Sequence, residues 1–390
     1  MIKRQSILLL SFSLMLLPAT YFLAPTATVS FFPSYLIGIL GLASIYLHWD
    51  QLAKVKTSIS FLAGLFFILL ISVQFGSGEV ATTALYFGYC LLILTFVLGY
   101  LIAAEKVSWF TTLFMLTIVG STVVSCAISI YFYFALDYQP LVENRLYALG
   151  RLNNPVISAI SYGSVFCLCL AYISTSKETA LRLLTCIVAL IILYAIGLTE
   201  SRGTWLGISA AAVSIFLLRE WHSKYQMVIA STVVFGLLLI SVTLLLATGY
   251  SDVLMRRSMS FRPEIWSESI SLWWNGRTIL GAGMHTVAHL EIGPNTFHHP
   301  HSIYVSTLYH GGVAGLAAFL LLIIRMFWIA RFQADKEIRS YAFPLFVFGL
   351  TTLLFDGNKL IEKVDFIWLC LWLPIALMLV AETRFRQPTR

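Results

Sequence analysis

The stretch TTALYFGYCLLILTFVLGYLIA, residues 82–103, runs for 22 residues without a charged side chain. A helix needs about 20 consecutive apolar residues to cross the ~30 Å hydrocarbon core of a bilayer, so this stretch predicts a membrane-spanning helix. Similar apolar runs recur along the chain and predict twelve spans in total: 6–23, 30–48, 58–75, 82–103, 107–136, 157–174, 183–199, 204–218, 226–248, 303–329, 341–355 and 365–382.

The composition agrees with this interpretation. Of the 390 residues, 59% are hydrophobic and only 11% are charged, and the mean hydropathy is +0.86. A soluble domain carries about 25% charged residues, so this chain could not cover a water-facing surface. A cytosolic enzyme, a disordered protein and a secreted disulfide scaffold are therefore excluded. The six cysteines all lie in apolar runs, which favours small buried side chains over disulfides or thiolate metal sites. The predicted fold is an all-α polytopic membrane protein.

The positive-inside rule orients the predicted spans. With the N-terminus in the cytoplasm, 16 of the 25 Lys and Arg residues lie at cytoplasmic span ends. Residues 1–248 then hold nine spans, residues 249–302 form one long outer loop, and residues 303–390 hold three spans with a cytoplasmic C-terminus. The net charge of +7 is mostly this orientation signal. Nucleic-acid binding is not predicted, because the sequence has no basic stripe interleaved with aromatic residues.

Seven arginines face outward against this rule, and they are the most informative charges. They are Arg145, Arg151, Arg202, Arg256, Arg257, Arg262 and Arg277, and the only outward lysines are Lys359 and Lys363. The guanidinium group suits bidentate binding of phosphate. The cluster therefore predicts a site for an anionic, phosphorylated ligand at the outer surface. The alternative is that these arginines bind lipid head groups or pair with Asp137, Glu143 and Asp252.

Arg202 lies in LTESRGTW, a short polar break between two apolar runs. A charge so close to hydrocarbon is costly, which makes it a functional candidate. Gly203 would let the backbone approach a ligand closely. The alternative is a pair between Glu200 and Arg202 that closes a tight outer turn.

Arg262 opens the stretch RPEIWSESISLWW in the long outer loop. Pro263 fits the first position of a helix, and Trp266, Ile270 and Trp273 follow with helical spacing. We therefore predict an amphipathic helix in the outer interface, with Arg262 at its N-terminus. That end favours an anion through its free N–H groups and the helix dipole. The alternative is a helix that only caps the bundle.

Five of the eight histidines fall within 17 residues: His285, His289, His298, His299 and His301. Metal binding by HHPH is one interpretation, but it lacks flanking carboxylates or thiolates. Acid–base catalysis is the other, and His301 is best placed for it. It directly precedes Ser302, a predicted N-cap, and the tenth predicted span. In the last outer loop, Asp356, Lys359, Glu362 and Lys363 are expected to pair with one another. His310 is expected to serve helix packing or hydrogen bonding.

Three motifs together resemble the superfamily of O-antigen ligases and O-antigen polymerases. They are SRGTW after one span, RPEIWSESISLWWNGRTILGAG in the long outer loop, and HHPHSIYVSTLYHGGVAGL entering a span. The Gly-x-Gly of the pattern is Gly281 and Gly283, and the closing glycine pair is Gly312 and Gly315. Ser302 stands where the family usually has Asn. The motifs cover residues 200 to 315.

The resemblance implies an inverting, metal-independent glycosyltransferase of the bacterial inner membrane, with its active site facing the periplasm and no cofactor. The donor would be a glycan on undecaprenyl diphosphate, and the acceptor would be lipid A–core. Arg202 and Arg262 take the role of diphosphate binders and His301 that of the base. The remaining substrate-binding candidates are Arg145, Arg151, Arg277 and His299.

Other functions remain open at this point. An O-antigen polymerase or a pilin or protein glycan ligase would use the same chemistry on another acceptor. A transporter should show related halves and charges at mid-membrane, whereas this chain shows no internal repeat. A non-catalytic scaffold in an envelope complex is the last alternative.

Overall fold

A computed structural model describes residues 2–76, 80–135, 145–148, 150–218 and 261–386 of the chain. These residues form an α-helical bundle with one small β-hairpin. The α-helices are α1 Ile2–Leu23, α2 Ala27–Leu47, α3 Trp49–Leu52, α4 Lys56–Gly76, α5 Val80–Lys106, α6 Phe110–Ala135, α7 Pro155–Thr175, α8 Thr179–Thr199, α9 Arg202–Leu218, α10 Arg262–Trp274, α11 Ile303–Phe332, α12 Lys336–Thr352 and α13 Leu373–Phe385. Strands β1, Leu290–Ile292, and β2, Asn295–Phe297, pair antiparallel. Short 3₁₀ turns lie at Ala53–Val55 and Gly150–Leu152, and a π-helical turn at Trp368–Trp372 leads into α13.

The helices agree with the predicted polytopic membrane fold. Within the described residues, eight helical segments are long and apolar enough to cross a membrane. Two shorter apolar helices, Phe31–Leu47 and Arg202–Leu218, coincide with the second and eighth predicted spans, and α12 coincides with the eleventh. The ninth predicted span, 226–248, lies outside the described residues. The all-α class is thus confirmed, while the count of twelve and the domain boundaries stay predictions.

The last helix is the centre of the bundle. From Phe366 to Thr383 every side chain is buried. This helical segment, which ends in α13, packs against α5, α11 and α12. A helix that is apolar on all sides must be enclosed by other helices or by lipid, and here protein encloses it. The outer helices keep lipid-facing side chains, such as Leu190 on α8 and Ile324 on α11.

The bundle has two distinct ends. We call the end that holds the starts of α7, α9 and α11 and the loop 353–365 the site end. At the opposite end, the Asp335 amide donates to the Ala381 carbonyl at 2.9 Å, and Arg384 pairs with Glu105 at 3.1 Å. All seven residues proposed from the sequence for catalysis or substrate binding lie at the site end.

The segment between α10 and α11 folds back onto the bundle. Ile265 of α10, Ala288, Leu290 of β1 and Tyr309 of α11 form a small separate core. The prediction that α10 begins at Arg262 is confirmed. The predicted apolar face was partly wrong: Trp266 and Trp273 pack on this core, but Ile270 is exposed. The hairpin and α11 decide which face of α10 is buried. The spacing of residues within α10 gives no information about these packing partners.

Helix α11 is interrupted where the Gly-x-Gly motif docks on it. Gly312 has non-helical backbone angles, and the amides of the next two residues, Val313 and Ala314, donate to the carbonyls of Thr278 and Ile279. In return, the Ala282 and Gly283 amides donate to Tyr309 and His310. A Cβ on Gly281 or Gly312 would lie within 2.6 Å of backbone atoms of the other segment. The glycines are needed because two backbones meet there without room for side chains.

Candidate functional site

His301 occupies a strained position at the start of α11. Its backbone is left-handed, with φ of 50°, a conformation that costs of order 1–3 kcal/mol in a residue other than glycine and that clusters at functional sites. The next residue, Ser302, occupies the N-cap position as predicted, although its side chain makes no capping hydrogen bond. The imidazole Nδ1 of His301 lies 3.6 Å from Oδ1 of Asp356. The bend thus aims the His301 ring at a carboxylate from another loop.

Backbone contacts hold Asp356 in this place. The Ile303 amide at the start of α11 donates to the Leu353 carbonyl at 2.9 Å, and the Ser306 hydroxyl donates to the Asn358 carbonyl. The Gly357 amide donates to Asp356 Oδ1 at 2.7 Å. Burial raises the pKa of Asp356, but the hydrogen bond and charge of His301 outweigh it and the net pKa is lowered. Asp356 therefore faces His301 as a carboxylate.

The expectation that Asp356 pairs within its own loop was wrong, because the loop is anchored on α11 and turns this side chain toward His301. This partner was missed by sequence reasoning, since 55 residues separate the two positions. The only signal in the sequence was an acidic residue in an outer loop. Lys359 also pairs outside the loop, with Nζ 3.2 Å from the hydroxyl of Tyr86 on α5.

Arg202 and Arg262 converge beside this pair. Arg202 begins α9, and a Cβ on the next residue, Gly203, would lie 3.3 Å from Cβ of Phe355, the neighbour of Asp356. Burial lowers the pKa of Arg262, Asp356 raises it and Arg202 lowers it further. Asp356 and Arg202 thus both lie near enough to Arg262 to influence its charge. Guanidinium groups at such a place are suited to binding a phosphorylated anion.

His299 lies directly against His301, with ring centroids 3.8 Å apart. Burial lowers the pKa of His299 to about 4, and the neighbouring His301 lowers it as well. Its buried Nδ1 has no hydrogen-bond partner among the described residues. His299 therefore presents a neutral ring to the site, with a polar atom that a ligand could satisfy. His298 is exposed and packs against His289, with ring centroids 5.7 Å apart.

Arg145 supports the turn that carries Arg202. Its Nε donates to the Thr199 carbonyl at 2.7 Å, and the Leu146 amide donates to Leu198 at 2.9 Å. Thr199 ends α8, and Glu200 follows in a left-handed conformation before Arg202 begins α9. A cation at a helix C-terminus interacts favourably with the helix dipole and the last carbonyl groups.

Arg151 and Arg277 lie elsewhere on the site end. Arg151 Cζ lies 4.3 Å from the ring centroid of Phe31. Arg277 Nη1 donates to the Phe75 carbonyl at the end of α4 at 2.7 Å. Among the described residues, no hydrogen bond or ion pair joins Arg277 to His301 or Asp356. Arg256 and Arg257, with Asp137, Glu143 and Asp252, fall outside the described residues.

The arrangement can perform acid–base chemistry beside a bound anion. A carboxylate oxygen lies 3.6 Å from one nitrogen of an imidazole, and Arg202 and Arg262 lie in the same part of the site end. His310, by contrast, is buried within α11 with Nδ1 3.0 Å from the Gly283 carbonyl, which agrees with the hydrogen-bonding role expected as an alternative to helix packing. In the described part of the chain, no three His, Cys, Asp or Glu side chains are grouped so that they could hold a metal ion.

Comparison with known proteins agrees with the motifs. Residues 187–320 match the family model described as O-antigen ligase. The chain is also 27% identical over 337 residues to the O-antigen ligase of Pseudomonas aeruginosa, an alignment that covers 83% of this chain and 77% of that protein. The resemblance of this chain to O-antigen ligases is thereby confirmed, and residues 187–320 carry the match to the family model.

Proposed function

We propose that this protein is an inverting, metal-independent glycosyltransferase that moves a glycan from undecaprenyl diphosphate to an acceptor hydroxyl. The reaction is most consistent with transfer of O-antigen onto lipid A–core in lipopolysaccharide biosynthesis. The enzyme would sit in the bacterial inner membrane with the site end facing the periplasm. The observation that carries the proposal is the His301–Asp356 pair beside Arg202 and Arg262.

In the proposed reaction His301 is the general base. Asp356 Oδ1, 3.6 Å from Nδ1 of His301, favours the tautomer in which Nδ1 carries the proton and Nε2 is unprotonated. That nitrogen takes the proton of the acceptor hydroxyl as the hydroxyl oxygen attacks the anomeric carbon. The new glycosidic C–O bond forms on the face opposite the diphosphate, which inverts the configuration. A positioned base contributes about 10²–10⁴-fold to such a step.

The bond from the anomeric carbon to the diphosphate breaks in the same step, and undecaprenyl diphosphate leaves as an anion. Arg202 and Arg262 bind that anion and stabilise the charge that develops on it. Because a diphosphate is a good leaving group without protonation, the site needs no separate general acid. His299, held neutral against His301, can hydrogen-bond the sugar without adding a charge near the base.

The direct test is transfer by the purified full-length chain supplied with a lipid-linked glycan and lipid A–core. Substitution Asp356→Asn, which keeps the shape but removes the carboxylate charge, should reduce kcat by about 10²-fold because the His301 tautomer is no longer fixed. Donor binding should be retained. Absence of transfer by the unaltered protein would overturn the proposal, and so would a fully active Asp356→Asn variant.

The acceptor is tested separately in a deletion strain. Loss of long-chain lipopolysaccharide bands with an intact core, while lipid-linked polymer persists, indicates ligation to lipid A–core. If the lipid-linked polymer itself is lost, the protein acts as a polymerase. If only a glycosylated pilin or other protein is lost, it transfers glycan to protein.

A further inference from the structure

Tyr86, near the start of α5, connects two segments that build the site end. Its hydroxyl donates to the Met284 carbonyl at 2.7 Å, and Nζ of Lys359 donates to the same hydroxyl at 3.2 Å. Met284 directly follows the Gly-x-Gly motif, and Lys359 lies in the loop that carries Asp356. We call Tyr86, Met284 and Lys359 the Tyr86 junction. The reaction proposed above does not use it.

The chemistry of these three groups sets the direction of both hydrogen bonds. A lysine ammonium group can only donate, so the Tyr86 oxygen accepts from Lys359 and its own proton goes to the Met284 carbonyl. Tyr86 is 6% exposed and Met284 is 1% exposed, so water has little access to the contact. Hydrogen bonds in such a chain polarise and strengthen one another. One hydroxyl group therefore joins both segments to α5.

Helix α5 gives the Tyr86 junction a fixed base. It packs against α2 and against the central helix α13, and every residue from Thr95 to Ala104 is buried. The Gly-x-Gly segment and the loop 353–365 are also hydrogen-bonded to α11, through Ala282 and Leu353. The Tyr86 junction thus adds a second support, from α5, to two segments that α11 already holds.

The turn that carries Asp356 depends on such supports. Gly357 has φ of 122°, in a region that glycine adopts freely, so the backbone by itself leaves the direction of Asp356 open. The Asn358 carbonyl is held by a hydrogen bond from α11, and Lys359 is held by the Tyr86 junction. Because Lys359 follows Asp356 by only three positions, its contact restricts how the turn can rotate.

The contact between His301 and Asp356 has little margin. Nδ1 of His301 lies 3.6 Å from Oδ1 of Asp356, which exceeds the upper limit of about 3.2 Å for a well-formed N–H···O hydrogen bond. A misplacement of about 1 Å in a catalytic site can cost about 10²-fold in rate. A small rotation of the turn would therefore separate the carboxylate from the imidazole.

We propose that Tyr86 and Lys359 are positioning residues that hold Asp356 opposite His301, an inference that rests on the proposed function. Both act through Asp356 rather than on the substrates. The ammonium group of Lys359 already has partners within the protein, since it donates to Tyr86 and lies near Glu362. Burial lowers the pKa of Lys359, and Glu362 raises it.

Initial rates of transfer by the purified full-length protein test the proposal. Tyr86→Phe keeps the ring and removes the hydroxyl, so it should lower kcat about tenfold and leave the KM for donor and for acceptor within about twofold. Lys359→Met should act in the same direction. The double variant should be no slower than Tyr86→Phe, because both changes remove the same contact. A rise in the donor KM of Lys359→Met would show that Lys359 binds the diphosphate directly and would overturn the assignment.

Tyr89→Phe is the matched control. Tyr89 lies one turn further along α5, with its ring centroid 5.9 Å from that of Tyr86. In the described part of the chain its hydroxyl makes no hydrogen bond. The kcat and both KM values of Tyr89→Phe should therefore match those of the unaltered protein. An equal loss of kcat in Tyr89→Phe and Tyr86→Phe would contradict a specific role of the Tyr86 hydroxyl.

The Asp356→Asn background distinguishes positioning from a merely structural role. If Tyr86 acts through the Asp356 carboxylate, Tyr86→Phe should lower the kcat of Asp356→Asn by less than about twofold, because the charge that it positions is already gone. Independent effects would multiply, so the double variant would fall about tenfold below Asp356→Asn. That result would overturn the assignment.

Hydrogen exchange measured without substrates separates this inference from the proposed function. In Tyr86→Phe, peptides from the loop 353–365 and around Met284 should exchange faster, while peptides from α8 should not change. Unchanged exchange in both segments would overturn the assignment even if turnover falls. If the unaltered protein catalyses no transfer, the proposed reaction fails, and faster exchange in these two segments would still show that the Tyr86 junction holds them.

Discussion

The two ends of the helix bundle hold buried charges in opposite ways. At the opposite end, the fully buried Glu382 accepts hydrogen bonds from Arg325, Arg386 and Ser58, each at 2.6 Å. Arg325 also donates to Ser58 and Gln333, each at 3.0 Å. Opposite charges thus meet there with closely matched geometry, and three helices, α4, α11 and α13, are joined.

At the site end, side chains of the same type lie near one another instead. Arg202 lowers the pKa of Arg262, His301 lies against His299, and the buried Nδ1 of His299 has no partner among the described residues. His301 itself has a left-handed backbone. Removal of one partner from a buried ion pair destabilises a fold, whereas strained backbone and perturbed pKa values cluster at functional sites. The following predictions test this contrast between the ends.

The largest effect is expected at His301. His301→Ala should reduce transfer by about 10²–10⁴-fold, the usual contribution of a positioned base, with donor binding largely intact. His298→Ala and His299→Ala should be milder. His301→Gln, similar in size but not basic, should be as inactive as His301→Ala in a single-turnover assay. A half-active His301→Gln would mean that the residue only positions the acceptor, and Glu200 would become the next candidate base.

Glu382→Gln tests the opposite end. Removal of one partner from a buried ion pair costs about 3–5 kcal/mol, because the remaining charge stays buried without compensation. The midpoint of thermal unfolding in detergent should fall clearly. The KM values for the donor and for the acceptor, measured on the protein that remains folded, should not change. Glu337→Gln, an exposed acid at the same end, is the control and should leave the midpoint nearly unchanged. An equally stable Glu382→Gln variant would contradict the structural role of this network.

Replacement of Arg202 or Arg262 by Ala should cost at least tenfold in activity. Each charge-assisted hydrogen bond contributes about 1.5–3 kcal/mol. Both Ala variants should still fold and insert into the membrane. Lys should rescue poorly because it lacks the bidentate guanidinium fork. Activity per unit of membrane-inserted protein is the measurement. Near-normal transfer by both Ala variants would remove the diphosphate assignment.

His299 gives the site end a sensitivity to acid. Its folded-state pKa of about 4 lies below the ordinary 6.5, so the unfolded chain binds the proton first as the pH falls. Folding stability is therefore lost between about pH 6.5 and 4, by about 2 kcal/mol at pH 5. His299→Gln should show a smaller drop in unfolding midpoint between pH 7.5 and pH 5 than the unaltered protein. An identical drop in both proteins would show that His299 is not held neutral.

The smallest effect is expected from chelation. Because the proposed reaction relies on His301, Arg202 and Arg262 rather than on a metal ion, transfer should be unchanged by EDTA. Loss of activity that one particular divalent ion restores would overturn this expectation. It would favour a metal site built on His298, His299 and His301.

Much of the fold was predictable because it depends on composition and spacing. Long uncharged stretches have to form helices in a membrane, since no water is available there to satisfy the backbone. Pro263 predicted that α10 begins at Arg262. The apolar run after His301 predicted that this histidine lies directly before a helix. These features are local, so neighbouring residues suffice to determine them.

The partners of the predicted site residues depended on the tertiary structure. Asp356 meets His301 because the loop after α12 is hydrogen-bonded to the start of α11, and no spacing rule relates positions 55 residues apart. The exposure of Ile270 depended on which side of α10 met the hairpin. Arg145, Arg151 and Arg277 looked alike in sequence, yet they contact the end of α8, the Phe31 ring and the end of α4.

The sequence by itself determined that this is a helical membrane protein with arginines and a histidine in its polar loops. It did so because hydropathy and local turns act over a few residues. Only the tertiary structure decided which of these charges meet, because that depends on how α9, α11 and the loop 353–365 pack at one end. The same packing joined Glu382 to Arg325 at the other end, where matched charges stabilise the bundle.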